Sequence, residues 1–275
     1  MYIMGSFKRE DIMGKKIITF VFSLSVVLGC SSAGAFEIAS QEIEISAGDK
    51  FVSSYIWRGQ DLYGDNDPAH QPYVDITLAE YCLGADLGLS LWSSFPLSRG
   101  HENAEEFDYT VSLSNNFWEV WDASFGYTYF DFPNSGSTAD VSEPWVSLTL
   151  NNIVPDLPAE IAAHVFAGYD LQAASGGPDE GWYYSWGFST ELDLPSSMFM
   201  QEGQSLSLGV TNWGNDGVAG LEPSGLYATD LSLATSFNLG KLNISPGLNF
   251  MLNHESKINN GDDEFWAGIE FAWAF

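Results

Sequence analysis

Carboxylates are the chemistry this chain carries in excess, and many of them fall at alternate positions within apolar segments. Glu44, Asp75, Asp86, Glu106, Asp108, Asp122, Glu160 and Glu270 each sit in the row opposite an apolar row, and His164 occupies the same kind of position. Carboxylates so spaced along strands would ring a lumen, favouring cations and repelling anions. Basic residues are scarce there: Lys50 and Arg58 fall in the same row, and Arg58 either narrows the lumen or pairs with the acids. His254-Glu255-Ser256 places a hydroxyl two residues beyond an imidazole. A lipid hydrolase could use that spacing, given hydrogen-bond reach and a third group to orient the ring; Lys257-Ile258-Asn259 does not supply the expected context. Asp61, Asp65 and Asp67 offer oxygens to Ca²⁺ but lack the Glu that closes a calcium loop. They read as a solvated acidic loop, so no metal or cofactor is expected.

The elements that must position these groups are strands. In Glu264–Phe275, Phe265, Ala267, Ile269, Phe271, Trp273 and Phe275 form one apolar row, with Glu264 and Glu270 in the other. That period of two continues for about a dozen residues, where a soluble strand usually has about five or six. A strand tilted across a bilayer needs about nine to eleven. The same alternation runs through Ile43–Trp57, Tyr73–Glu80, Leu83–Leu91, Phe107–Leu113, Trp121–Tyr129, Val146–Leu150, Ile161–Tyr169, Trp182–Phe188, Leu206–Val210, Leu231–Phe237 and Leu242–Phe250. With the terminal segment this predicts an all-β fold: a transmembrane antiparallel up-and-down barrel of about twelve strands, an even number as bacterial barrels have. Asp49 interrupts the first apolar row, as a bulge or lower rim would, and Pro144 predicts a bulge or late entry.

The connections alternate in length. Gly59–Gln71, Ser93–Glu105, Asp131–Asp140, Asp170–Gly181, Trp213–Leu226 and Asn253–Asp263 are long and polar, while the turns near Cys82, Asn115 and Gly240 are short. Asn151–Pro158 and Asp193–Gly203 exceed the rule. Both termini then lie at the short-turn, periplasmic end. Tyr55, Trp57, Trp92, Phe95, Trp118, Trp121, Tyr127 to Phe132, Trp182 to Trp186, Trp273 and Phe275 fall near predicted strand ends, as two interfacial girdles would.

Composition agrees. The 275 residues are 45% hydrophobic, 15% aromatic and 17% charged, with 27 Gly and 10 Trp. Beyond the N-terminal region no apolar run approaches the roughly twenty residues of a membrane helix. Lys15-Lys16, an apolar stretch and Ala33-Gly34-Ala35 read as a signal peptide over residues 1–35, with Met13 an alternative start, leaving 36–275 as the barrel. Leu28-Gly29-Cys30-Ser31 resembles a lipoprotein box, which would leave a lipidated Cys30 instead. A formal charge of −28 excludes nucleic acid as a partner, because phosphate contacts need clustered Lys and Arg.

The first hairpin carries a resemblance. Tyr55, Trp57-Arg58-Gly59, Asp65-Asn66-Asp67-Pro68-Ala69 and the return strand, with Leu91-Trp92-Ser93-Ser94 after them, resemble proteobacterial porins called TorF-like or Gcw-type. The final Trp273 and Phe275 resemble the assembly signal of Gram-negative outer-membrane barrels. The resemblance implies an outer-membrane channel for passive diffusion of small hydrophilic solutes, not an enzyme. Outer-membrane lipid and lipopolysaccharide would surround it, and the barrel-assembly machinery would insert it. The alternatives are a lipid hydrolase using His254 and Ser256, or a non-conducting barrel filled by side chains or a folded loop.

Overall fold

A strand with one wholly apolar face must bury that face or give it to lipid, and here the faces point outward. The computed structural model describes residues 42–64, 66–101, 104–135, 139–155, 157, 159–172, 180–194, 204–218 and 224–275. The expected signal peptide, Cys30 and Asp65 lie outside them. The strands are β1 (Ile43–Val52), β2 (Ile56–Trp57), β3 (Gln60–Asp61), β4 (Ala69–Cys82), β5 (Ala85–Pro96), β6 (Glu106–Phe117) and β7 (Trp121–Asp131). They continue as β8 (Val141–Leu150), β9 (Ala159–Gln172), β10 (Gly181–Asp193), β11 (Ser205–Asn215), β12 (Gly225–Leu239), β13 (Leu242–Asn253) and β14 (Glu264–Ala274).

Twelve of these close into an antiparallel barrel in which each strand pairs with its neighbours in sequence, while β2 and β3 form a separate two-stranded sheet. β1 pairs with β4 on one side and seals against β14 on the other, with Ser46 opposite Ala274 and Val52 opposite Gly268. Closure removes the sheet edges, so the backbone polar groups of a lipid-embedded strand are satisfied within the wall. Among the described residues no helix is long and apolar enough to cross a membrane.

Facing follows from the pleat. Along β10, Trp182, Tyr184, Trp186 and Phe188 are 36–48% exposed, whereas Tyr183 and Ser185 between them are 1% and 5% exposed. Residues opposite one another across a ladder share a face, so the register carries this assignment around the wall. Ile45, Val74, Leu89, Leu91, Tyr109, Phe125, Val146, Leu148, Val165, Leu231 and Leu248 are likewise exposed. An apolar exterior this continuous is stable against acyl chains rather than water.

The connections alternate as expected. The links 53–68, 97–105, 132–140, 173–180, 216–224 and 254–263 share one end with the start of β4. The other end holds the turns 83–84, 118–120 and 240–241, the links 151–158 and 194–204, and both ends of the barrel sheet. Leu83 and Gly84, with φ of 54° and 80°, make a two-residue turn whose positive φ values match strand twist.

Three local expectations change. Pro144 produces no bulge: β8 stays in register with β7 through the Tyr127–Pro144 pair, and only the β9 ladder skips residues 143 and 144 before resuming unshifted. A proline lacks one donor, which interrupts one ladder and leaves the other intact. Asp49 marks neither a bulge nor the lower rim. It is paired continuously near the long-connection end, on the outer face, where His70 Nε2 lies 2.6 Å from its Oδ1. Finally, Tyr55, Trp57, Trp92 and Tyr183 are not girdle residues; they turn inward, as the packing below shows.

Candidate functional site

The first strand stops at Val52, and the chain does not rise into an outer loop. Ser53 still pairs with β14, its N–H 2.8 Å from the Ala267 carbonyl, with Ala267 N–H returned to Ser53 Oγ at 3.0 Å. The chain then folds into the barrel as the β2–β3 hairpin, in which Trp57 opposes Gln60 across Arg58 and Gly59. Both turn residues have positive φ, 49° and 81°, the two-residue geometry that Gly favours at its second position. Gly59 is required for space as well, since a Cβ there would lie 2.7 Å from Ala228 Cβ. After the hairpin, the Asp61 carboxylate accepts the N–H groups of Gly64 and Asn66 at 3.0 and 3.1 Å. That use occupies a residue read from sequence as a loop acid. Asp67 is also engaged, 2.7 Å from His101 Nε2.

Arg58 is therefore not at the top of a strand but at the tip of an inward hairpin. Its Nη1 and Nη2 donate to Glu143 Oε2 and Oε1 at 2.5 and 2.7 Å, with both side chains buried. The guanidinium carbon stands 4.3 Å from the Trp57 ring centroid and 4.9 Å from those of Phe166 and Tyr183. Ring faces and a bidentate carboxylate together replace the water that this cation has lost. Burial pulls the Arg58 pKa down, but the hydrogen bond and charge of Glu143 outweigh it and leave the group above its usual value.

The hairpin is bonded around the wall. Tyr55 OH donates to Glu106 Oε2 at 2.8 Å, Gln60 Nε2 to Tyr183 OH at 3.2 Å, and Tyr227 OH to the Arg58 carbonyl at 2.6 Å. Tyr63 OH lies 2.7 Å from Ser94 Oγ. Asn259, on the β13–β14 connection, accepts the Asp61 N–H at 2.9 Å and donates to the Gly59 carbonyl at 3.1 Å. Apolar packing reinforces these bonds: Ile56 and Trp57 lie against Tyr227, Met251 and Trp266, while Tyr55 and Tyr63 cluster with Val52 and Ala69. Burial raises Tyr55 well above its usual pKa, with Glu106 and Asp108 adding to the rise, and burial pushes Tyr63 up to about 12.

Around the arginine, negative charge predominates. Glu106 and Glu143 are 2% and 1% exposed, and Asp170 is 7% exposed. Asp108 opposes Trp92 and Phe130 on the same inner face. One oxygen on each of Asp108, Asp170 and Asp230 has no hydrogen-bond partner among the described residues. The Asp230 Oδ2 accepts from Trp213 Nε1 at 2.8 Å.

The register also places the other acids read from sequence on the inner face, but not together. Glu44 opposes Thr77, Asp75 opposes Ser46, Asp86 opposes Ser114, Asp122 opposes Thr149, and Glu160 opposes Glu191. Glu270 opposes Lys50 and accepts from Tyr73 OH. His164 Nε2 lies 3.3 Å from Thr211 Oγ1. Of the acids read from sequence as lumen-lining, only Glu106 and Asp108 lie with Arg58. Glu143, Asp170, Tyr183, Tyr227 and Asn259 were missed. Glu143 shares parity with Trp145 and Ser147, so its row was readable, but the expected Pro144 break hid it. The alternation alone places Asp170 in a loop and Tyr183 in a girdle.

His254 Nε2 pairs with Thr229 Oγ1 at 2.9 Å, and that hydroxyl donates its proton to Asn212 Oδ1 at 2.9 Å. The imidazole nitrogen is therefore the donor in this contact. At the barrel seam, Trp273 lies opposite Ala47, and Phe275 N–H bonds the Ile45 carbonyl at 2.9 Å.

No family model and no curated protein matches the sequence. Solved structures do match the fold. An outer membrane channel from Pseudomonas putida F1 superposes with a TM-score of 0.52 at 12% identity, over 88% of this chain and 98% of that one. LpxR from Salmonella typhimurium superposes with a TM-score of 0.50 at 7% identity, over 83% of this chain and 99% of that one. At these identities the likeness concerns the barrel.

Proposed function

We propose that the chain is an outer-membrane channel for passive diffusion of small hydrophilic solutes, preferring cations and narrowed from within by the Arg58 hairpin. The observation that carries this reading is an inner wall rich in carboxylates, in which the buried guanidinium is already committed to Glu143. Charge along such a path sets the sign of the permeating ion. A loop folded into the lumen is a recurrent way of restricting a barrel of this kind.

The reading places the short turns and both termini in the periplasm, with outer-membrane lipid and lipopolysaccharide against the apolar exterior. Trp273 and Phe275 present their rings outward at the seam, where the barrel-assembly machinery would take the terminal strand. The TorF-like assignment belongs to the same proposal, since Tyr55, Trp57, Arg58 and Gly59 are residues of the constricting hairpin and its approach. A non-enzymatic role is favoured by the engagement of His254 with Thr229.

The test is the reversal potential of the refolded barrel in a planar bilayer under a KCl gradient. A potential on the K⁺ side is expected. A potential on the Cl⁻ side overturns the cation preference, because it requires the wall acids to be neutral or bypassed.

A further inference from the structure

Between the hairpin and the wall from β6 to β10 lies a cavity of about 330 Å³, within the usual range of small-molecule sites. Its lining combines the rings of Tyr55, Trp57, Phe130 and Tyr183 with the carboxylates of Glu106 and Asp170. The Asp170 side chain is over nine-tenths buried, and its Oδ1 has no partner among the described residues. Nearby Glu106 already accepts from Tyr55 OH, and Glu143 is held by Arg58. Among the carboxylates that line the cavity, the unmatched acceptor is therefore the Asp170 oxygen. A buried carboxylate oxygen without a donor is costly unless something supplies one.

The geometry points to a small organic ammonium cation as the occupant, its charged head beside Asp170 and Glu106 and its hydrocarbon against the rings. Arg58 already stands over Trp57 and Tyr183, so the rings of Tyr55 and Phe130 are the ones left to a ligand. Aromatic faces attract cations and shed water readily, which suits a substituted ammonium better than a hydrated inorganic ion. Among the described residues no group of three or more His, Cys, Asp or Glu is disposed to hold a metal. Anions are disfavoured by both carboxylates, and the one cation beside them, Arg58, is already engaged by Glu143. This inference rests on the channel reading and names the class of solute it would select.

The test uses choline and its neutral isostere 3,3-dimethylbutan-1-ol, titrated separately into the refolded barrel in detergent and followed by tryptophan fluorescence and calorimetry. Choline should bind saturably and at least about tenfold more tightly than the alcohol. Asp170→Asn, checked for folding by its heat-modifiable mobility, should remove most of that preference. Equal binding of the two probes, or no saturation with choline, overturns the inference without recourse to any variant. The assay needs no conduction. Choline binding to an electrically silent barrel would remove the channel and leave the site, whereas a conducting barrel indifferent to choline would do the reverse.

Discussion

Arg58 and Glu143 are 85 residues apart in sequence and share two hydrogen bonds inside the barrel. Their pairing joins the tip of an inward hairpin to β8 and, on the proposed reading, makes that hairpin a constriction. Removing one member leaves the other charge buried and unmatched, at a cost of about 3–5 kcal/mol for a typical buried pair. Glu143→Gln should therefore loosen the hairpin, raise single-channel conductance and lower the unfolding midpoint. Arg58→Met with Glu143→Leu should recover much of the stability lost in either single variant. A double-mutant cycle by chemical denaturation checks this, and strict additivity would contradict the coupling.

Gly59 and Gly64 provide a paired test of the turn. Both have positive φ, 81° and 70°, yet a Cβ would collide with Ala228 only at Gly59, and it meets nothing within 4 Å at Gly64. Gly64→Ala should cost about 1–2 kcal/mol, from backbone conformation alone. Gly59→Ala should cost more and also increase conductance, because the hairpin must withdraw to admit the methyl group. Similar denaturation midpoints for the two would show that the close approach contributes nothing.

The hairpin tyrosines predict an alkaline limit. Tyr55 and Tyr63 are raised in the folded state, Tyr63 to about 12, above the ordinary value of 10.0. A raised folded value means that their contribution is fully present below the unfolded pKa and is lost as pH climbs through the folded one. Hairpin release should begin above pH 10.0 and progress toward about 12 for Tyr63. Conductance recorded across that window should rise, and Tyr63→Phe should reduce the part of the rise that belongs to Tyr63. A flat profile would mean that ionisation does not open the hairpin.

The barrel was far more legible in the sequence than the constriction was. Alternation is a local signal, and in segments such as Leu83–Leu91 or Glu264–Phe275 one row is so uniformly apolar that strand and facing follow together. The hairpin obeys no such rule. Phe51, Ser53, Tyr55 and Trp57 keep the parity of β1, so pattern alone extends the strand past Val52. What ends it is long-range: the pocket for Tyr55 beside Glu106, and for Arg58 beside Glu143. Even the aromatic girdle was misread for this reason, since Trp57 and Tyr183 look interfacial by type but face each other inside, with ring centroids 5.4 Å apart.

Wall acids away from the hairpin should act on selectivity without touching it. Asp75→Asn with Asp86→Asn should move the reversal potential in a KCl gradient toward zero while leaving the unfolding midpoint nearly unchanged. Both residues lie in the inward row of β4 and β5. An unchanged potential would place ion selection elsewhere along the lumen.

The most direct measurement compares single-channel conductance of the wild-type barrel with that of a variant whose Tyr55–Leu62 segment is replaced by a short Gly-Ser linker. Discrete, cation-selective steps are expected from both, several-fold larger once the hairpin is gone. Equal conductance would contradict the constriction, and silence from both folded barrels would contradict the channel itself.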